Sequence, residues 1–333
     1  MRDLERRYAR LLRLFYPAGY RQGRGAEIVG TYLDLAGPDR RWPSAADVAD
    51  LASGGFQQRM RATMATDLGP GLRLAGSLAL LTATVLATAW SVLELHPPPT
   101  DWGPRVGPSV SAGVVIWLAW LVAAVAHLLA PGRWARLAIA VAMLLSAAVV
   151  PYAAVTGQER PPLFVLLPQL ALGAVAVVGV GRPPMWLRLL PLAAGAAAVQ
   201  PAVTLMTGRD PFYAGYYGWA ANQTPTAVGV ALLIVAVVVG MGLAGRGDYR
   251  GGWALLVLLG PIGMLCLIPL AGVFDGRTGG APDHSWHLMA AVAVAVTVTG
   301  PALIALALAV RGRPAPDAAV SERCPACGAH RPR

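Results

Sequence analysis

The stretch LAGSLALLTATVLATAWSVL, Leu74 to Leu93, decides the fold. Its twenty residues carry no charge, and that is the length of helix needed to cross about 30 Å of hydrocarbon. Upstream, residues 1–73 mix arginines with acids. Downstream, comparable apolar runs recur, giving eight candidate spans: Leu74–Leu93, Val110–Ala130, Ala135–Val155, Leu163–Val180, Leu187–Met206, Ala227–Ala244, Trp253–Phe274 and Leu288–Val310. The expected fold class is all-α: a polytopic membrane protein of about eight transmembrane helices behind a small cytosolic three-helix domain. The domain limits follow as residues 1–70, 71–311 and a tail at 312–333.

The arginines sort by side. With loops assigned alternately, 23 basic residues fall with the N terminus and four, Arg105, Arg160, Arg209 and Arg277, fall opposite. Loops rich in positive charge stay in the cytosol, so both termini are expected there. Composition agrees, with 56% hydrophobic residues, 13% charged and a mean hydropathy of +0.55. The net charge of +10 then reads as topology plus attraction to anionic lipid. Nucleic acid is not an expected partner, because eight acids offset the twelve arginines of residues 1–73 and no helix-turn-helix is recognisable. Every basic residue is Arg, and Ala, Gly and Val abound, which points to a GC-rich bacterial gene and hence a bacterial plasma membrane. No cleavable signal is expected, since the first apolar run follows a long mixed-charge segment. Tryptophans 90, 102, 134, 186, 219, 253 and 286 stand near span ends, where an interfacial belt places them.

Ionisable residues are nearly absent from these spans; with Arg136 and Arg188, at span starts, counted to the cytosolic loops, His127, near a cytosolic end, is the one assigned to them. Ion-coupled transport is therefore disfavoured, and so is intramembrane enzyme chemistry. Two amides do lie in spans. Gln169 follows Pro168 and Gln200 precedes Pro201, at similar depth in oppositely directed helices, so the pair is expected to be able to meet, as a polar patch or as interhelical glue. Pro261 and Pro269 predict kinks in the seventh span. Among the outer loops, Phe212-Tyr213-Ala214-Gly215-Tyr216-Tyr217-Gly218-Trp219 reads as an aromatic platform or an interfacial anchor. His284 and His287 have helical i, i+3 spacing, with His96 a third candidate for a metal.

The N-terminal segment predicts three amphipathic helices. Leu4, Tyr8, Leu11 and Phe15 recur at helical spacing opposite Arg6, Arg10 and Arg13. Ile28, Tyr32 and Leu35 outline a second helix, which ends at Gly37-Pro38. Ser44 caps a third, with Asp47 at the capping-box position, and Gly54-Gly55 is expected to interrupt it. Tyr8, Leu11, Phe15, Ile28 and Tyr32 are the candidate partner-binding residues.

At Tyr8–Pro17, Arg24–Leu33 and Trp42–Leu51 this arrangement resembles the helical HAAS-type signalling or permease-prefix domain that precedes membrane spans in bacterial proteins, often encoded beside PadR-type regulators. Leu51-Ala52-Ser53-Gly54-Gly55-Phe56 stands where that domain's usual LG-x-P ending falls. The resemblance covers about the first 65 residues and implies a sensing or docking module without catalytic residues.

The tail ends in Cys324-Pro325-Ala326-Cys327-Gly328-Ala329-His330, a knuckle in which two thiolates grip zinc. Cys324, Cys327 and His330 are the candidate ligands, and a second tail would complete a four-thiolate site across a homodimer. Three cysteines in all give no disulfide framework. The expected function is non-enzymatic: a membrane-anchored regulatory or interaction protein whose N-terminal helices dock a cytosolic or membrane partner. A transporter or permease subunit for a small neutral or apolar substrate is the alternative.

Overall fold

A computed structural model describes residues 2–16, 18–36, 40, 42–62, 68–95, 111–207, 217, 219–275 and 286–311. Among them every regular element is a helix: α1 (Arg2–Phe15), α2 (Ala18–Leu35), α3 (Ala45–Ala62), α4 (Leu68–Leu95), α5 (Gly113–Leu129), α6 (Arg133–Thr156), α7 (Leu163–Gly179), α8 (Met185–Thr207), α9 (Trp219–Ala244), α10 (Arg250–Leu265), α11 (Leu267–Asp275) and α12 (Trp286–Arg311). The chain divides into two compact units, Met1–Thr66 with Ala305–Arg333, and Asp67–Ile304.

In the first unit, α1 buries Leu4, Tyr8, Leu12 and Tyr16 against Leu51 of α3. The buried stripe thus runs at i, i+4 through Leu12 and Tyr16, while Leu11 and Phe15 are half-buried beside it. Ser44 caps α3 reciprocally: Asp47 N–H donates to Ser44 Oγ at 3.1 Å, and Ser44 N–H donates to the Asp47 carboxylate at 3.0 Å. Gly54-Gly55 does not break α3, contrary to expectation. A Cβ on Gly55 would stand 2.6 Å from Phe15 Cβ, and one on Gly54 would collide with the Tyr16 hydroxyl. The pair lets α3 close on the end of α1, and that packing outweighs the poor helix propensity of glycine.

In the second unit α4 is central, packed by α5, α7, α8 and α10. Its inner faces are small, with Ala75, Ala79, Ala83 and Ala87 fully buried. Small residues let backbones approach where no hydrophobic force drives helices together. A Cβ on Gly76 would lie 2.6 Å from the Gly179 carbonyl carbon, so α4 and α7 meet backbone to backbone. Gly251 and Gly240 do the same for α10 and α9, at 2.6 Å. Thr84, Thr88 and Ser91 satisfy their hydroxyls on carbonyls one turn back in α4, at 2.8–2.9 Å.

Among the described residues five helices are long and apolar enough to cross a membrane, in α4, α6, α8, α9 and α12. A sixth candidate is the pair α10 and α11, which passes jointly and bends by 71° at Cys266. The two remaining expected spans are α5 and α7, apolar helices of 17 residues, shorter than the usual ~20. The outside of the bundle is apolar, with Val122, Leu144, Val155, Ile234, Val238 and Val294 among its exposed side chains. A surface of that kind matches acyl chains better than water.

The tryptophans divide. Trp134 and Trp186 are exposed, as an interfacial belt requires, but Trp90 and Trp253 are buried, at 1% and 3% exposure. Height along the axis placed them near the interface, yet their helix faces point inward. The side chains of Trp102, Trp219 and Trp286 lie outside the described residues.

Candidate functional site

The last turn of α4 carries Trp90, Ser91 and Glu94 on its buried face, in line with Ala83 and Ala87. Glu94 is fully buried. One carboxylate oxygen accepts the Ser111 backbone N–H at 2.9 Å; the other accepts the Ser111 hydroxyl at 2.7 Å and the Tyr217 hydroxyl at 2.9 Å. Trp117 Nε1–H in turn donates to the Tyr217 oxygen at 2.8 Å. Trp90 closes the cluster, its ring centroid 5.6 Å from that of Tyr217 and 6.4 Å from that of Trp117.

The backbone is shaped to this network. Ser111 precedes α5, and its hydroxyl also accepts the Gly113 N–H at 2.9 Å, so the carboxylate sits by the positive end of the α5 dipole. A Cβ on Gly113 would fall 2.5 Å from Glu94 Oε1 and 2.6 Å from Pro161, so only glycine fits. Tyr217 holds φ at +49°, the left-handed region, which costs a bulky residue strain that the buried hydroxyl network offsets. The arrangement fastens the end of α4, the start of α5 and the chain ahead of α9 through a single carboxylate.

This carboxylate escaped the sequence reading, which ended the first span at Leu93 and counted Glu94 with the loop. The available signal was its spacing: Ala83, Ala87, Trp90 and Glu94 follow the i, i+4, i+7, i+11 pattern of one helix face.

The five N-terminal candidates come together. Tyr8, fully buried, and Leu11, Phe15, Ile28 and Tyr32, partly buried, pack into one cluster. The Tyr8 and Tyr32 rings stack at 5.3 Å. Tyr8 donates to Asp47 at 2.7 Å and Tyr32 donates to Asp50. Burial, then the Asp47 carboxylate, pushes the Tyr8 phenol up; burial and the Asp50 hydrogen bond do the same to Tyr32. The Tyr8 hydrogen bond, then the Ser44 backbone, holds Asp47 below its usual range. These side chains therefore build the core of α1–α3. The surface beside them offers a groove of about 550 Å³ between α1 and α2, bordered by Glu5, Arg13, Arg21, Ala26, Val29 and Leu33. Within it Arg21 Nε is buried without a hydrogen-bond partner.

The two amides are not paired. Gln169, fully buried, donates to the Ala83 carbonyl of α4 at 3.0 Å and leaves Oε1 without a partner. Gln200 is exposed on α8. His127 is 1% exposed, with Nδ1 unpartnered. Cys324, Cys327, His330, His96 and His284 lie outside the described residues, and His287 is exposed. Among the described residues no three metal-ligating side chains gather. No family model, no curated protein and no solved structure matches the chain.

Proposed function

We propose that the chain is a bacterial, multi-pass plasma-membrane protein of regulatory or interaction type, non-enzymatic, with cytosolic termini and a three-helix docking domain ahead of the spans. The observation that supports docking is the groove between α1 and α2, where an apolar floor meets Arg13, Arg21 and Glu5. Arg21 Nε, buried there without a partner, asks for a carboxylate or similar acceptor, and an amphipathic segment with an acidic edge supplies both halves. A PadR-like cytosolic regulator or another membrane component is the class of partner in view.

Tyr8, Leu11 and Ile28 are poor probes, because changing them breaks the core. Arg21→Glu and Ala26→Trp alter the groove from its exposed or half-exposed rim. Full-length chain carrying either is expected to lose the proteins that co-purify with the unaltered chain from native membranes, while keeping its helical content. Retention of the same proteins by both variants would remove the groove from the proposal.

In this reading α5 and α7 complete eight spans. At ~1.5 Å per residue their 17 residues reach about 26 Å, short by an amount that local thinning absorbs. A second reading, a permease for a small neutral or apolar substrate, draws support from the 71° break between α10 and α11, since broken helices line substrate sites in transporters. It expects uptake to fall in Gln169→Leu, which removes the buried amide.

Zinc at Cys324, Cys327 and His330 rests on spacing alone. Elemental analysis of purified chain is expected to find about one zinc ion for every two chains if the knuckle is shared in a homodimer.

A further inference from the structure

Four arginines from three helices and a loop converge around residues 180–183 at one end of the second unit, and a fifth, Arg133, starts α6 beside them. Arg136 of α6 donates from Nε and Nη2 to the Val180 carbonyl, at 3.2 and 3.1 Å. Arg188 of α8 donates to the Pro183 carbonyl at 2.7 Å. The stem of Arg73, from α4, lies along Gly181, where an added Cβ would stand 3.5 Å from its Cδ. Arg182 crosses Gly132 in the α5–α6 turn, where an added Cβ would stand 3.2 Å from its Nε. Next to Gly132, Arg133 holds its guanidinium 5.1 Å from the Trp134 ring centroid. His127, near the same end of α5, is buried and its Nδ1 has no partner.

Among the described residues of the second unit, no acid lies on the segments that carry this cluster except one at the far end of α4. Residues 111–158 and 160–207 contain neither Asp nor Glu, and the acid of α4, Glu94, stands at the opposite end of that helix. Asp248, in the α9–α10 turn, is held by Arg250 at 2.8 Å. None of the five arginines forms an ion pair among the described residues.

Like charges gathered against a low-dielectric bundle repel strongly and concentrate a positive potential. Each guanidinium carries five donors in a planar fork, more than one carbonyl consumes, and that fork matches a phosphate two oxygens at a time. Arg73, Arg133 and Arg182 are exposed and Arg188 is half-buried. Exposed Trp134 and Trp186 flank them, as aromatic residues do at headgroup depth. We propose that Arg73, Arg133, Arg182 and Arg188, with His127 behind them, form a site for the phosphate of an anionic phospholipid headgroup. The site deepens the membrane reading and rests on it, with this end at the cytosolic leaflet; it does not depend on docking by α1–α3.

The test is native mass spectrometry of the full-length chain released from vesicles of mixed phosphatidylglycerol and phosphatidylcholine. Phosphatidylglycerol is expected to be retained about tenfold over phosphatidylcholine, the weight of one charge-assisted hydrogen bond. The double variant Arg73→Lys and Arg182→Lys keeps the charge and the topology but replaces two forks by point charges, and should lose most of that preference. Arg160→Lys, from the opposite end, should keep it. Equal retention of the two lipids, or equal loss in the Arg160 variant, overturns the site. Displacement of the lipid by millimolar inorganic phosphate would make it a site for a soluble anion and overturn the lipid assignment. If the double variant fails to accumulate, Arg182→Lys alone and the rise of the wild-type Tm with phosphatidylglycerol carry the same test, and no rise above that with phosphatidylcholine overturns the proposal. Protease access to the N-terminal segment in inverted vesicles reads orientation separately, so a mistaken topology is told apart from an absent site.

Discussion

Glu94 and Tyr217 are joined across 123 positions of sequence by one hydrogen bond, and single atoms there have separable effects. Tyr217→Phe deletes the hydroxyl that both accepts from Trp117 and donates to Glu94, and is expected to cost roughly 1–3 kcal/mol. Glu94→Ala removes the acceptor for three donors and should cost more, seen as a larger fall in Tm in detergent. A Tm within error of wild type for both would dismiss the network as a fastener. In α1–α3 the sign of the pH effect follows from the shifts. Asp47, lowered from its usual 3.8, stabilises the fold above that pH, and its contribution is lost as pH falls through the lower folded value. Tyr8, raised from 10.0, contributes below that pH, and its contribution is lost as pH climbs past it. Circular dichroism of the full chain should therefore show an acid limb that Asp47→Asn removes and an alkaline limb that Tyr8→Phe shifts.

At the scale of elements the bundle is set by glycine contacts that no propensity scale ranks. Gly179→Val would drive a branched side chain into the Leu72 carbonyl and the Gly76 backbone. Overpacking of that kind costs ~1–3 kcal/mol or more, and thermal unfolding should register it, whereas Gly252→Val, which meets nothing within 4 Å, should be near neutral. The helices themselves were legible in sequence, because length and apolar periodicity are local signals. Ser44 with Asp47 fixed the start of α3 for the same reason. Gly54-Gly55 was misread since glycine looks like a break along the chain, while its use here is to admit Phe15 and Tyr16 from another helix. Trp90 was assigned to the interface by its height, when its register with Ala83 and Ala87 turns it inward. Glu94 was missed because its partners Ser111 and Tyr217 are brought to it only by tertiary packing.

At the scale of the molecule, the second unit gathers arginines at one end. Arg73, Arg136, Arg182 and Arg188, from elements far apart in the chain, surround one short segment. Loops meeting at one end this way is what alternating spans produce, and the apolar exterior between the ends is what lipid requires. The 17-residue helices α5 and α7 decide whether alternation holds throughout. Single cysteines placed at Gly132, Gly181, Gly247 and Gln158, in a chain whose Cys266, Cys324 and Cys327 are changed to Ser, read this directly through a membrane-impermeant thiol reagent. Eight crossings with cytosolic termini predict labelling of the Gly132, Gly181 and Gly247 positions only from the cytosolic side and of the Gln158 position only from outside. Labelling of the Gly132 and Gln158 positions from the same side would mean that α6 does not cross, and would contradict the membrane architecture on which the proposed function rests.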